Sequence, residues 1–150
     1  LFIDMNSIQL CTEELLEKFT HFELLKDYIE QKTKEVADHN KSNSINTSEL
    51  INGRRLTNVG TFRAYIEAYL RNNSKIHPKM TFLIRQLEPT SRGLPIQIYV
   101  FTNDTDWIRY EGIQADIFDH LLAALPTFEL RLFQLPTGFD MQFMAGRGNS

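Results

Sequence analysis

The sequence has no run of about 18 consecutive apolar residues, so none of it is expected to cross a bilayer as a helix. Its single cysteine, Cys11, cannot close an intrachain disulfide and has no metal-ligand spacing around it, which fits a reducing compartment. The N-terminus lacks the basic, apolar and small-residue series of a secretion signal. Residues 1–5 instead read as a short strand, as if the chain began just before or within one, so any bilayer part of a parent protein is expected upstream. Also missing are a glycine-rich phosphate loop and a nucleophile paired with a base. His21, His39 and His77 stand singly, outside HxxxH or HxxE spacing. No enzyme activity, metal or cofactor is expected from this text.

What is present is the balance of an ordinary globular domain: 150 residues, 42% hydrophobic and 23% charged, enough for one sizeable core. The net charge of −3 hides an uneven spread. Residues 1–50 carry 5 basic and 10 acidic side chains, residues 51–87 carry 7 and 1, and residues 88–150 carry 4 and 8. The basic middle is the part that needs an explanation.

After the opening strand, which Ile8 and Leu10 extend past a turn at Asn6 and Ser7, the hydrophobic period changes from two to helical spacing. Thr12 is a natural helix cap, and Glu13 and Glu14 suit the positive end of the helix dipole. Leu15, Phe19, Phe22, Leu25, Ile29 and Val36 then recur so as to predict one long amphipathic helix over 13–38. Residues 39–52 are polar and small with no period, which predicts a mobile loop. Thr61 is the expected cap of a second helix, with Phe62, Tyr65, Ile66, Tyr69 and Leu70 on one face and Asn72-Asn73-Ser74 as its stop.

Two strand-like runs, 80–87 and 94–101, flank a segment holding Pro89 and Gly93 and so predict an antiparallel hairpin. Asn103 or Thr105 is expected to cap a third helix over 106–125, with Tyr110, Ile113, Ile117, Leu121 and Ala124 inward and Pro126 just beyond. Gly112 inside that helix costs about 1 kcal/mol relative to Ala, which implies a close backbone approach. A last strand is expected over 129–135.

The order β-α-α-β-β-α-β predicts an α+β fold, a ferredoxin-like sandwich with helices on one face of the sheet. Residues 1–136 form the domain in this reading and 137–150 a tail. In the tail, Phe139, Met141 and Phe143 alternate with polar neighbours as a strand over 139–144. A strand beyond a completed domain has no partner in its own chain, so this one is expected to pair between subunits.

Four stretches carry a more specific likeness: Gly53-Arg54-Arg55-Leu56-Thr57-Asn58-Val59-Gly60-Thr61-Phe62-Arg63-Ala64-Tyr65, Ile76-His77-Pro78, Phe101-Thr102-Asn103-Asp104-Thr105, and Ile113-Gln114-Ala115-Asp116-Ile117-Phe118-Asp119-His120-Leu121-Leu122. Together with Leu25-Lys26-Asp27-Tyr28-Ile29, they resemble the cytosolic domain of mechanosensitive channels of the MscS family, miniconductance branch. The resemblance implies one subunit of a homo-heptameric channel in the bacterial inner membrane, opened by bilayer tension to relieve osmotic shock. This piece would lie on the cytoplasmic side as the lower vestibule wall, and the 139–144 strands would close a small parallel barrel on the axis. It would touch the membrane only through segments upstream.

The second reading is a ferredoxin-like regulatory module that binds a small metabolite at a helix end or a sheet edge. The channel reading, by contrast, predicts no pocket with converging polar groups. Asp104 and Asp106 beside Trp107 read as a helix cap and acidic first turn, and Asp116 with His120 as a surface pair. The basic block of Arg54, Arg55, Arg63, Arg71, Lys75, Lys79 and Arg85 invites an RNA-binding reading. An aromatic-rich RNA-binding signature is missing and the overall balance is acidic, so no nucleic-acid partner is expected. Arg54 and Arg55 are instead the candidates for charge that meets neighbouring subunits or lines an ion vestibule. Cys11 is expected to be a small buried or half-buried side chain with nothing basic nearby to lower its pKa.

Overall fold

The chain opens on a two-residue strand, β1 (Phe2–Ile3), in the computed structural model, which describes residues 1–137 together with Asp140 and Met141. β1 runs antiparallel to β3 (Leu94–Tyr99), with Phe2 opposite Pro95 and Ile3 opposite Leu94. β3 pairs on its other side with β2 (Leu83–Gln86), from Leu83 opposite Tyr99 to Gln86 opposite Ile96. The expected hairpin is therefore present, and the sheet order is β1-β3-β2.

The strand expected over 129–135 shrinks to a bridge on the free edge of β1. Ile3 sits opposite Leu132, the Asp4 N–H donates to the Arg131 carbonyl at 2.8 Å, and the Phe133 N–H donates to the Phe2 carbonyl at 2.9 Å. It begins late because residues 125–128 make a 3-10 turn that ends on Glu129 in the left-handed region, at φ 57°. Mixed helices with a small antiparallel three-stranded sheet make the chain α+β.

The single helix expected over 13–38 is two, α1 (Glu13–Thr20) and α2 (Lys26–Ser42). Thr12 caps the first, its hydroxyl accepting from the Leu15 N–H at 3.2 Å. The break follows from phase. Leu15 and Phe19, and again Leu25 and Ile29, are four residues apart and share a face, but Phe19 and Leu25 are six apart. On one continuous helix those two would point about 120° away from each other. The turns at 21–25 re-phase the chain so that both reach 0% exposure. Because α2 runs on to Ser42, the segment expected to be a loop over 39–52 starts four residues later, at Asn43.

The next helix, α3 (Asn58–Arg71), is capped by Thr57 and not Thr61. The Thr57 hydroxyl accepts from the Gly60 N–H at 3.1 Å, while the buried Thr61 hydroxyl donates to the Thr57 carbonyl at 2.9 Å. In α4 (Trp107–Ala124) the cap is Asp106, accepting from the Arg109 N–H at 3.1 Å, and not Asn103 or Thr105. The shift has a cause: Asp104 already accepts from the Asp106 N–H at 2.9 Å, which turns the chain one residue later.

The inward face of α4 is as expected, with Ile113, Ile117 and Leu121 buried. Its glycine is not. A Cβ on Gly112 would meet nothing within 4 Å, so there is no close approach to accommodate. Gly112→Ala should therefore stabilise the chain by about 0.5–1 kcal/mol, read as a higher urea midpoint at unchanged slope. An unchanged midpoint would show that the glycine has a role this packing does not display.

The core is centred on Phe128, whose ring lies 5.3 Å from Phe19, 5.2 Å from Phe62 and 5.2 Å from Tyr65. Ile3 and Ile96 contribute the sheet's share. No helix among the described residues is long and apolar enough to cross a membrane.

Of the expected inter-subunit strand, Phe139 and Phe143 lie outside the described residues. Asp140 and the exposed Met141 are helical, and the Asp140 carboxylate accepts from the Thr137 hydroxyl at 2.7 Å and the Thr137 N–H at 2.8 Å.

Candidate functional site

Past α2 the chain loops out and returns alongside the helix, and one side chain holds the base of that loop. Asn40, buried in the last turns of α2, acts as a strand neighbour for Arg54. Its Nδ2 donates to the Arg54 carbonyl at 3.0 Å, and its Oδ1 accepts from the Arg54 N–H at 2.9 Å. Gly53 makes this approach possible: its φ is +69°, and a Cβ there would sit 2.3 Å from Asn40 Oδ1.

The next residues are pinned from the other side. The Cys11 N–H donates to the Leu56 carbonyl at 2.8 Å, and the Asn58 N–H to the Gln9 carbonyl at 3.1 Å. The result is a short extended strap that presents Arg54 and Arg55 at a fixed height between α1 and α2.

The strap walls a cleft of about 340 Å³ between the start of α1, the second half of α2 and the 45–56 segment. Its apolar lining comes from Cys11, Leu16, Val36 and Leu56. Its charged lining is Lys41, Arg54 and Arg55, with Glu13 as the acidic member. A second cavity of about 210 Å³ shares Val36, Arg54, Arg55 and Leu56 and adds Tyr28, Lys32 and Thr61.

The positive charge in this cleft is not paired among the described residues. Lys32 is paired with Glu35 at 2.9 Å, but among the described residues Lys41, Arg54 and Arg55 form no ion pair. Arg55 donates from Nη2 to the Thr47 carbonyl at 2.8 Å, which aligns the guanidinium. Its Nε, closed off from solvent, has no acceptor among the described residues. A buried N–H without a partner is uncommon.

Burial pushes the Cys11 thiol up to about 11, with Glu129 adding to the rise and a Thr61 hydrogen bond opposing it. At about pH 8 the thiolate fraction is then roughly a thousandth, against about a quarter for an ordinary thiol. DTNB should react with the native chain at least about 100-fold more slowly than with the chain in guanidinium chloride. Comparable rates would mean that Cys11 is open to solvent. Cys11 is thus an un-ionised part of the cleft's apolar lining.

The other residues singled out in the sequence are placed apart. Asp106 is the α4 cap, and Asp104 pairs with Arg109 at 2.6 Å. The Asp106 N–H and then Arg109 hold the Asp104 carboxyl below the usual range. His120 forms no hydrogen bond with Asp116; its Nε2 lies 2.7 Å from the Tyr65 hydroxyl and its ring stacks on Tyr69 at 4.2 Å. His77 is a turn residue, its Nδ1 accepting from the Lys79 and Met80 N–H groups. No group of three or more His, Cys, Asp and Glu side chains among the described residues is arranged to hold a metal.

The basic block is dispersed. Arg71 pairs with Glu67 and lies 4.2 Å over the Phe82 ring, Arg63 donates to Gln86, and Arg85 to Gln97. Only Arg54 and Arg55 of the block line the cleft, joined by Lys41, which sequence reading did not single out. Asn40 was missed as well, since a lone Asn at the end of a polar helix carries no signal of its role. Converging polar groups therefore line a pocket where the channel-type reading predicted none.

No family model matches this chain, and no solved structure matches it.

Proposed function

We propose that this chain is the cytosolic C-terminal domain of a bacterial mechanosensitive channel of the MscS family, miniconductance branch, and serves assembly and vestibule-wall roles rather than catalysis. What supports the reading is the resemblance carried by residues 53–65, together with the stretches at 76–78, 101–105 and 113–122. The residues in those stretches have defined work in the fold: Thr57 caps α3, Phe62 is fully buried, and Ile113 and Ile117 face the core.

A ferredoxin-like sheet is part of the proposal. It is supported by the β1-β3-β2 order and by residues 131–133 bonding along the opposite edge of β1. The whole protein would be a homo-heptamer at the inner membrane, reaching the bilayer through upstream segments and closing its axis with residues 139–144. Arg54 and Arg55 bring positive charge with no ion pair among the described residues, as a vestibule wall or a subunit contact would use it.

The test is made on the full-length protein, in membrane patches from cells lacking their own tension-gated channels. Suction should open a conductance, and the double variant Arg54→Gln/Arg55→Gln should change its anion-to-cation preference. A gene with no hydrophobic spans upstream of Leu1, or patches silent up to lysis, would retire the channel reading. Unchanged selectivity and assembly in the double variant would remove the role given to the two arginines.

A further inference from the structure

We propose that the cleft between α1, the second half of α2 and the 45–56 segment is a binding site for a small monocarboxylate with an apolar body of about five or six carbons. Its volume of about 340 Å³ falls at the small end of cavities that enclose organic ligands. The chemistry of its lining specifies the ligand. Cys11, Leu16 and Val36 offer an apolar surface with no hydrogen-bonding demand, the Cys11 thiol being un-ionised.

Arg55 lines the same cleft, its guanidinium held in place through Nη2 by the Thr47 carbonyl. A planar guanidinium matches the paired oxygens of a carboxylate. Arg54 and Lys41 in the same lining raise the local positive potential, and neither is paired among the described residues. Glu13 disfavours a second negative charge, so a monoanion is preferred over phosphate.

The site is also built rather than incidental. Asn40 and Gly53 fix the Arg54 backbone on one side, and the Cys11 N–H fixes Leu56 on the other, so Arg55 lies between two anchored neighbours. A preorganised donor loses little freedom when its ligand arrives. This proposal stands without the channel reading: a vestibule wall needs charge facing its lumen, whereas this site needs cations beside an apolar lining within one cleft.

Thermal unfolding and calorimetric titration of the chain with isocaproate test it, with isohexanol as the headless control and inorganic phosphate as the bodiless one. Isocaproate should raise the midpoint saturably, and the two controls should not. Arg55→Gln should weaken isocaproate binding at least about tenfold, as loss of a charged hydrogen bond predicts. Ala37→Leu, on an exposed position of α2 that borders the cleft, fills space without touching charge and should also abolish the shift. Because Leu is a strong helix former, that variant decides the matter should Arg55→Gln fail to fold. The proposal is overturned by no saturable shift up to about 20 mM isocaproate, by an equal shift with isohexanol or phosphate, or by isocaproate binding that survives Ala37→Leu intact.

Discussion

Phe128→Ala should destabilise the chain by about 4 kcal/mol, the largest loss expected from any single truncation. Phe128 is 1% exposed, and its ring meets Phe19, Phe22, Phe62 and Tyr65 at centroid distances between 5.2 and 5.7 Å. These partners come from α1, the turn after it and α3, so the ring joins the two halves of the helical layer. Its own backbone sits in the short 3-10 turn after α4, which cannot slide inward to fill the void without dragging the left-handed Glu129 with it. The lost transfer energy and the cavity both count in full at such a site. Urea unfolding followed by circular dichroism measures it, and a loss under about 2 kcal/mol would mean that the core can collapse around the gap.

Asn58→Ala should cost about 3 kcal/mol, although it removes almost no apolar surface. Asn58 is 0% exposed, and its side chain is a junction. Oδ1 accepts from the Gln9 and Val59 N–H groups, each at 2.9 Å, and Nδ2 donates to the Ser7 carbonyl at 2.9 Å and the Phe128 carbonyl at 3.1 Å. Alanine would leave the Gln9 and Val59 donors and two carbonyls without this partner inside the protein, and each such loss carries its own desolvation cost. Asn58→Asp keeps the acceptor but removes both donors, so it should fall nearly as far. If the alanine variant lost less than about 1 kcal/mol, water would have to be replacing the amide. The two positions are also coupled, because Asn58 holds the carbonyl of Phe128. The double variant should depart from additivity by more than about 0.5 kcal/mol.

Asn58 also shows where reading the sequence stopped. It lies inside the Gly53–Tyr65 stretch whose wording is distinctive, yet nothing local separates a buried Asn from a cap or a turn residue. Its partners are up to 71 positions away, at Glu129. Thr57 and Thr61 are a similar case. Both can cap a helix, and the choice fell to Thr57 because Asn58 must already be in the first turn for its side chain to reach residues 7, 9 and 128. His120 was legible as a surface residue of α4, but its stack on Tyr69 required knowing that α3 and α4 lie side by side.

The break between α1 and α2 was, by contrast, available in principle. The six-residue step from Phe19 to Leu25 is out of phase with any straight helix, and a strict count of angles would have marked it. The hairpin of β2 and β3, the inward face of α4 and the α+β class were readable because each rests on short-range alternation, turn residues or a 3.6-residue period.

Local chemistry alone therefore indicated the hairpin, the main helical segments and the α+β class, since backbone preference and side-chain periodicity act over a few residues, but not the break at 21–25, the helix running on to Ser42 or the loss of the 129–135 strand. It also brought the basic residues 54 and 55 to notice. Only the tertiary structure decided that Arg55, Lys41 and the thiol of Cys11 share one cleft. That meeting depends on Asn40 gripping the Arg54 backbone and on Leu56 bonding to Cys11, contacts between parts of the chain separated by 14 and 45 positions. Such closure is set by the shape of the whole core, and no window of sequence contains it.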